Sequence, residues 1–113
     1  MIERYAVYWV ALGPAQGSEF QKKRPAVVIS DAEMNRHLDT VVVCPMTRRL
    51  HPRWPSRVQA EVEGRRAEIA VDQIRTVSRR RIGARLDTID EDAAVALRHV
   101  ITEMYGVLSV SGG

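Results

Sequence analysis

Hydrophobic positions come in short alternating or wholly apolar runs as far as Leu86, and then at helical spacing. The first run, Arg4 to Val10, holds Tyr5, Val7, Tyr8, Trp9 and Val10 and predicts a strand. Leu12 to Lys23 carries Gly13-Pro14 and Gly17-Ser18 and predicts a loop. From about Arg24 to Ser30 a second strand is expected. Its Ala26, Val27, Val28 and Ile29 are apolar without alternation, the pattern of a strand covered on both faces. Asp31 to Leu38 has room for one helical turn capped by Ser30 or Asp31. Thr40 to Pro45 predicts a third strand, stopped by the proline. Thr47 to Pro55, with its prolines and arginines, predicts a second long loop. Arg57 to Val62 alternates as a half-buried strand, Glu63-Gly64-Arg65 turns tightly, and Ala67 to Val71 returns as its partner. Asp72 to Thr76 predicts an irregular turn, and Arg81 to Leu86 a last short strand.

After that the period changes. Thr88-Ile89-Asp90-Glu91 fits a capping box. Ala93, Leu97, Val100, Ile101 and Met104 follow at the spacing of an amphipathic helix that ends near Gly106. The tail, Ser109 to Gly113, is expected to fray. Five or so short strands, two long loops and one terminal helix predict a mainly β (α+β) domain. Its expected form is a small antiparallel barrel or half-barrel with the helix packed against it. Residues 1–113 show no repeat or linker and form one domain.

Composition narrows the function. A hydrophobic fraction of 45% is too high for a disordered chain. No apolar run reaches transmembrane length and the N-terminus lacks a signal-peptide pattern, so a cytoplasmic protein off the membrane is expected. The lone Cys44 excludes an internal disulfide and a multi-cysteine metal site. Lying in Val41-Val42-Val43-Cys44, it reads as a small buried hydrophobe. His37, His51 and His99 are scattered, so no metal and no cofactor are expected, and His99 reads as a surface residue of the helix. The net charge of +3 is modest, but the cations are clustered, at 22–24, 48–53, 65–66 and 79–81. They are mostly arginine, whose planar fork suits phosphate.

Three stretches can carry chemistry. Gly17 to Arg24 is polar and basic and runs directly into the apolar second strand. Arg24 lies at that junction, where Pro25 holds it extended and its guanidinium can serve as a phosphate clamp. Cys44 to Arg49 ends a strand in the Thr47 hydroxyl and the guanidiniums of Arg48 and Arg49. Val71 to Thr76 ends another in Asp72, Gln73 and Arg75. His51, in the arginine-rich loop, is a further candidate for substrate contact. Without metal or cofactor, RNA cleavage fits this inventory, because the substrate brings its own nucleophile, the 2′-hydroxyl.

Gly17-Ser18-Glu19, Lys23-Arg24-Pro25-Ala26-Val27-Val28-Ile29-Ser30, Val43-Cys44-Pro45-Met46-Thr47 and Asp72-Gln73-Ile74-Arg75-Thr76 resemble the successive signatures of the MazF/PemK family of toxin endoribonucleases. Val7-Tyr8-Trp9-Val10 matches as well, and the likeness runs over nearly the whole chain. It implies a Src-homology-3-like antiparallel β-barrel of the CcdB/PemK-MazF type with a C-terminal α-helix. It implies a homodimer that cuts single-stranded RNA without metal, leaving a 2′,3′-cyclic phosphate and a 5′-hydroxyl. It also implies a cognate acidic, MazE-like antitoxin whose tail fills the RNA groove. The family's usual catalytic pair maps onto Arg24, which would stabilise the phosphorane and could protonate the leaving oxygen, and Thr47, which would bond a phosphate oxygen. Glu19, Gln21, Lys22, Lys23, Arg48, Arg49, His51, Asp72 and Gln73 then become the expected substrate-binding residues. Glu19 could instead be a plain loop acid, and Asp72 and Gln73 could simply order their turn. Some PemK-type members carry an arginine two positions before that aspartate, where this chain has Ala70. Two alternatives stay open. One is a CcdB-like gyrase-binding toxin, disfavoured by the non-aromatic ending Val107 to Gly113; the other is an inactive homologue that only binds RNA or antitoxin.

Overall fold

Alternation along the central strands sends side chains into two separate cores. The computed structural model describes residues 1–13 and 22–106. Its elements are β1 (Ala6–Ala11), β2 (Lys23–Val28), α1 (Ala32–His37), β3 (Thr40–Thr47), β4 (Arg57–Val62), β5 (Arg65–Ala70), β6 (Arg75–Ser78), β7 (Ile82–Thr88) and α2 (Glu91–Tyr105). Short 3-10 turns occupy Val71–Gln73 and Arg79–Arg81. The strands form one antiparallel sheet in the order β4-β5-β3-β2-β1-β7, with β6 beside the first half of β3. The sheet curls into a half-barrel against which α2 packs.

Val7, Val27 and Cys44 face α2, in a core completed by Ile69, Val71 and Leu97. Their neighbours Tyr8, Ala26, Val28 and Val43 face the other way, packing with Val10, Val41 and Val77. This is why β2 reads as an unbroken apolar run: Ala26, Val27 and Val28 are all fully buried, on alternate faces. Burying a side chain such as Ile69 or Leu97, each 0% exposed, contributes about 1.5–3 kcal/mol.

Several boundaries differ from the sequence expectation. β3 is not stopped by Pro45 but continues to Thr47. The proline sits where β3 leaves β6, last paired at Val43–Arg75, and joins β5, first paired at Met46–Ile69. A missing N–H is tolerated at such a change of partner. The expected irregular turn at 72–76 contains β6, a short edge strand with a single buried residue, Val77. The helix cap is Asp90, whose Oδ1 accepts from the Ala93 N–H at 2.8 Å, and not Thr88. Thr88 is still strand, paired with Ala6, and its hydroxyl accepts from Arg85. Met104 lies on the exposed side of α2.

The β4–β5 hairpin turns as expected, through Glu63 (φ 53°) and Gly64 (φ +77°), two left-handed residues that match the strand twist. Gly106 ends α2, where a Cβ would lie 2.2 Å from the Thr102 carbonyl oxygen. Tyr105 Oη ties that end of the helix to the Val71 carbonyl at 3.0 Å. Among the described residues no helix is long and apolar enough to cross a membrane.

Candidate functional site

The β3–β5–β4 ladder lays out the site by register. Thr47 stands opposite Glu68, which stands opposite Gln59; the next row on that face pairs Ala70 with Arg57. Directly opposed residues of antiparallel strands share a face, so these five project together. The intervening row, Met46, Ile69 and Val58, goes into the core. β2 brings Arg24 to the same place from the other edge of β3.

Arg24, Met46 and Thr47 line two adjoining cavities. One, of about 190 Å³, is completed by Pro25, Arg48, Val62 and Ala67. The other, of about 150 Å³, is completed by Pro45, Arg49, His51, Arg57, Ala70 and Gln73. Six of the residues singled out in the sequence, Arg24, Thr47, Arg48, Arg49, His51 and Gln73, therefore converge. The Arg49 N–H donates to Thr47 Oγ1 at 3.1 Å, which leaves the threonine O–H free to donate elsewhere.

The remaining candidates lie elsewhere. Lys23 is next to Arg24 on an extended strand and so faces the other way, into a cavity walled by Trp9, Arg80 and Arg81. Lys22 is exposed, and its carbonyl accepts from the Leu12 N–H at 2.8 Å. Asp72 is not in the cavity wall; it grips Arg57, accepting from Nε at 2.8 Å. Burial pushes the Asp72 carboxyl up, but the bonds from Arg57 and Ser56 outweigh it and hold the group below the usual range. Glu19 and Gln21, like the tail from Ser109, fall outside the described residues. Arg75, from the stretch Val71 to Thr76, and Arg81, from the last basic cluster, are bonded to the carbonyls of Leu12, Ala11 and Gly13, and so hold the end of β1.

Beneath the cavities lies a polar cluster that sequence reasoning missed. Glu68 is 0% exposed. Its carboxylate accepts from Arg57 Nη1 at 2.7 Å, from Gln59 Nε2 at 2.8 Å and from the His51 backbone N–H. His51 Nδ1 lies 3.3 Å from Glu68 Oε2. Burial raises the Glu68 carboxyl, but the donors from His51, Gln59 and Arg57 prevail and bring it down to about 2. Bonds from Asp72 and then Glu68, against the cost of burial, hold the Arg57 guanidinium above its ordinary value. Trp54 stacks on His51 with ring centres 3.9 Å apart, and Arg57 lies 4.7 Å above the Trp54 ring. The one available signal was a carboxylate inside the apolar run Ala67-Glu68-Ile69-Ala70-Val71. Arg57, directly opposite Ala70 in the ladder, lines the same cavity as Ala70.

The arrangement offers guanidiniums and a hydroxyl to an anionic group, next to an imidazole backed by a carboxylate. Cys44 is excluded from that chemistry: burial and then the Asp72 charge push its thiol up to about 12. Among the described residues no three His, Cys, Asp or Glu side chains converge as a metal site.

MazF from Deinococcus radiodurans is similar in structure, with 24% identity and a TM-score of 0.77 over 93% of this chain and 96% of that one. An endoribonuclease from a Mycobacterial species, solved in complex with its cognate antitoxin, has 20% identity and a TM-score of 0.76 over 95% and 97%. Mycobacterium tuberculosis toxin MazF-mt6 has 16% identity and a TM-score of 0.73 over 92% and 99%. At such identities the likeness carries the fold. The family itself comes from the sequence, because the model of the PemK-like, MazF-like toxins of type II toxin-antitoxin systems matches residues 3–105. With that match over nearly its whole length, on the half-barrel and terminal helix just described, the chain belongs to the PemK-like, MazF-like toxin family.

Proposed function

We propose that this toxin is an endoribonuclease that cuts single-stranded RNA at specific sequences without a metal ion, leaving a 2′,3′-cyclic phosphate and a 5′-hydroxyl. One observation carries the reading: Arg24 and Thr47, on different strands, both line two adjoining cavities, one of them walled also by Arg48 and the other by Arg49. Arg24 stabilises the charge that develops on the phosphorane, and Thr47 donates to a phosphate oxygen. Arg48 and Arg49 hold the flanking backbone. The substrate supplies the nucleophile, so the protein has only to position the phosphate, stabilise its charge and move protons.

The partner is a cognate antitoxin with an acidic segment, which competes with RNA because carboxylates and phosphates meet the same cations. Deinococcus radiodurans MazF has been solved as a MazE–MazF complex, which supports this pairing. The toxin acts as a homodimer.

The test is to incubate purified protein with mixed RNA in excess EDTA and to sequence the ends. Cleavage at a common motif with cyclic-phosphate ends supports the proposal. Activity that appears only with an added divalent ion refutes metal independence, and intact RNA in both conditions refutes the nuclease reading.

A further inference from the structure

Cleavage by a 2′-hydroxyl requires a group that accepts its proton. Arg24 cannot serve, because guanidinium stays protonated, and a threonine hydroxyl is too weak a base. His51 is the one imidazole lining the cavity shared by Arg24 and Thr47. We propose that His51 is the general base of the cleavage reaction, with buried Glu68 as its positioning residue; this deepens, and rests on, the ribonuclease reading above.

The geometry fixes the ring on two sides. His51 Nδ1 faces Glu68 Oε2 at 3.3 Å, and Trp54 covers one face of the ring at 3.9 Å and 21°. Glu68 also takes Arg57 and Gln59 as donors and stands as an acceptor-only carboxylate. In the tautomer this role requires, the nitrogen turned toward that carboxylate carries the hydrogen and donates to Oε2. Arg57 Nη1 lies farther from the same nitrogen, at 3.5 Å, and gives its close bond, 2.7 Å, to Glu68 Oε2. In the neutral ring this leaves the lone pair on Nε2, on the edge away from the carboxylate. A carboxylate behind an imidazole fixes the tautomer and stabilises the imidazolium that forms on proton uptake.

The charges around the ring come from several elements. Glu68 (β5) is the negative charge beside it. Arg57 (β4), Arg24 (β2) and Arg49 of the ring's own loop are the positive ones lining the same cavity. Asp72 is paired with Arg57.

In the reaction the 2′-oxygen attacks phosphorus while its proton passes to His51 Nε2. The bond from phosphorus to the 5′-oxygen breaks, and the departing oxygen takes a proton from water. The cyclic phosphate and 5′-hydroxyl leave, and His51 returns its proton to solvent.

A purely structural His51 would only anchor the loop. That anchor is the backbone N–H donated to Glu68, which any residue at this position other than proline retains. The experiment is single-turnover cleavage from pH 5 to 9, with saturating enzyme and the motif found by end sequencing. It compares wild type, His51→Gln and His51→Ala, with circular dichroism to confirm folding. Both variants should lose about 10²–10⁴-fold in rate, bind RNA within a few-fold of wild type, and lack the acidic limb of the wild-type pH profile. Added imidazole should restore part of the His51→Ala rate. With a sulfur-for-oxygen substitution at the 5′ bridging position the leaving group needs no proton, so the defect of a lost base should persist.

Three outcomes overturn the inference. A folded His51→Gln protein that cuts at the wild-type rate does so while leaving the nuclease reading intact. Rescue by the sulfur substrate makes His51 the acid instead. Wild-type protein that cuts no RNA removes the nuclease reading and this inference together.

Discussion

Thr47 and Glu68 stand directly opposite each other where β3 pairs with β5, so the hydroxyl at the cavity wall and the carboxylate beneath it leave the same face of the sheet. A slip of β5 by one residue against β3 would send Glu68 into the core and bring Ile69 out beside Thr47. The apolar row of Met46, Ile69 and Val58 therefore protects the register on which the site depends.

Arg24→Ala and Thr47→Ala should each lower the single-turnover cleavage rate by roughly 10²–10³ while weakening RNA binding far less. Other cations still hold the backbone, whereas only a group aimed at the scissile phosphate stabilises charge that develops in the transition state. Arg24→Lys keeps the charge but loses the planar fork and should stay strongly impaired. Wild-type rates from folded Arg24→Ala protein would place the site elsewhere.

Arg48→Ala and Lys22→Ala should do the reverse. Binding should weaken, and the slope of log affinity against log salt should drop by about 0.7 for each phosphate that is no longer neutralised, with the bound-state rate nearly unchanged. Titration of labelled RNA at several salt concentrations measures this. An unchanged slope would show that the side chain does not meet a phosphate.

Glu68→Ala should cost about 1–3 kcal/mol of stability, because it removes the buried acceptor of Arg57 Nη1, Gln59 Nε2 and the His51 N–H, while Asp72 still pairs with Arg57. The wild type should also carry an acid-sensitive contribution from this cluster. The Glu68 carboxyl is lowered from 4.5 to about 2, and Asp72 is lowered too. A depressed carboxyl stabilises the fold fully above its unfolded value and loses that effect as pH falls through its folded value. Stability should therefore fall from about pH 4.5 downward, and Glu68→Gln should flatten that fall. Urea denaturation across pH 2–6 is the check, and parallel curves for the two proteins would contradict it.

Cys44, 0% exposed and with its thiol pushed up to about 12, should resist thiol reagents in the native protein. Its labelling by an aromatic disulfide should follow the population of unfolded chains as urea is raised. Rapid labelling in native buffer would mean that β3 opens locally.

The proposed homodimer can be tested by light scattering at micromolar concentration, where twice the chain mass is expected. Trp9, 40% exposed on a strand otherwise buried, gives a fluorescence signal for dissociation on dilution. A chain mass that stays monomeric would refute the dimer.

Much of the fold could be read along the chain because the signals were local. The apolar run at Ala26 to Val28, the Glu63-Gly64 turn and the apolar stripe of α2 each lie within a single short stretch of chain. β6 was not legible, since one buried valine gives no period. The cap of α2 was misplaced by two residues because Thr88 and Asp90 both qualify locally, and only the pairing of Thr88 with Ala6 decides between them. In the site, the sequence by itself determined the residue types and the strand ends that carry them, among them Arg24 before Pro25 and Thr47 after Met46. It could not determine which side chains meet. Alternation on β2 turns Lys23 away from Arg24; the ladder sets Thr47 beside Glu68; the loop folds His51 back onto that carboxylate; and the hairpin sets Arg57 opposite Ala70. Those relations join residues many positions apart. Only the tertiary structure decided them, because register and burial are properties of paired strands rather than of any one stretch of chain.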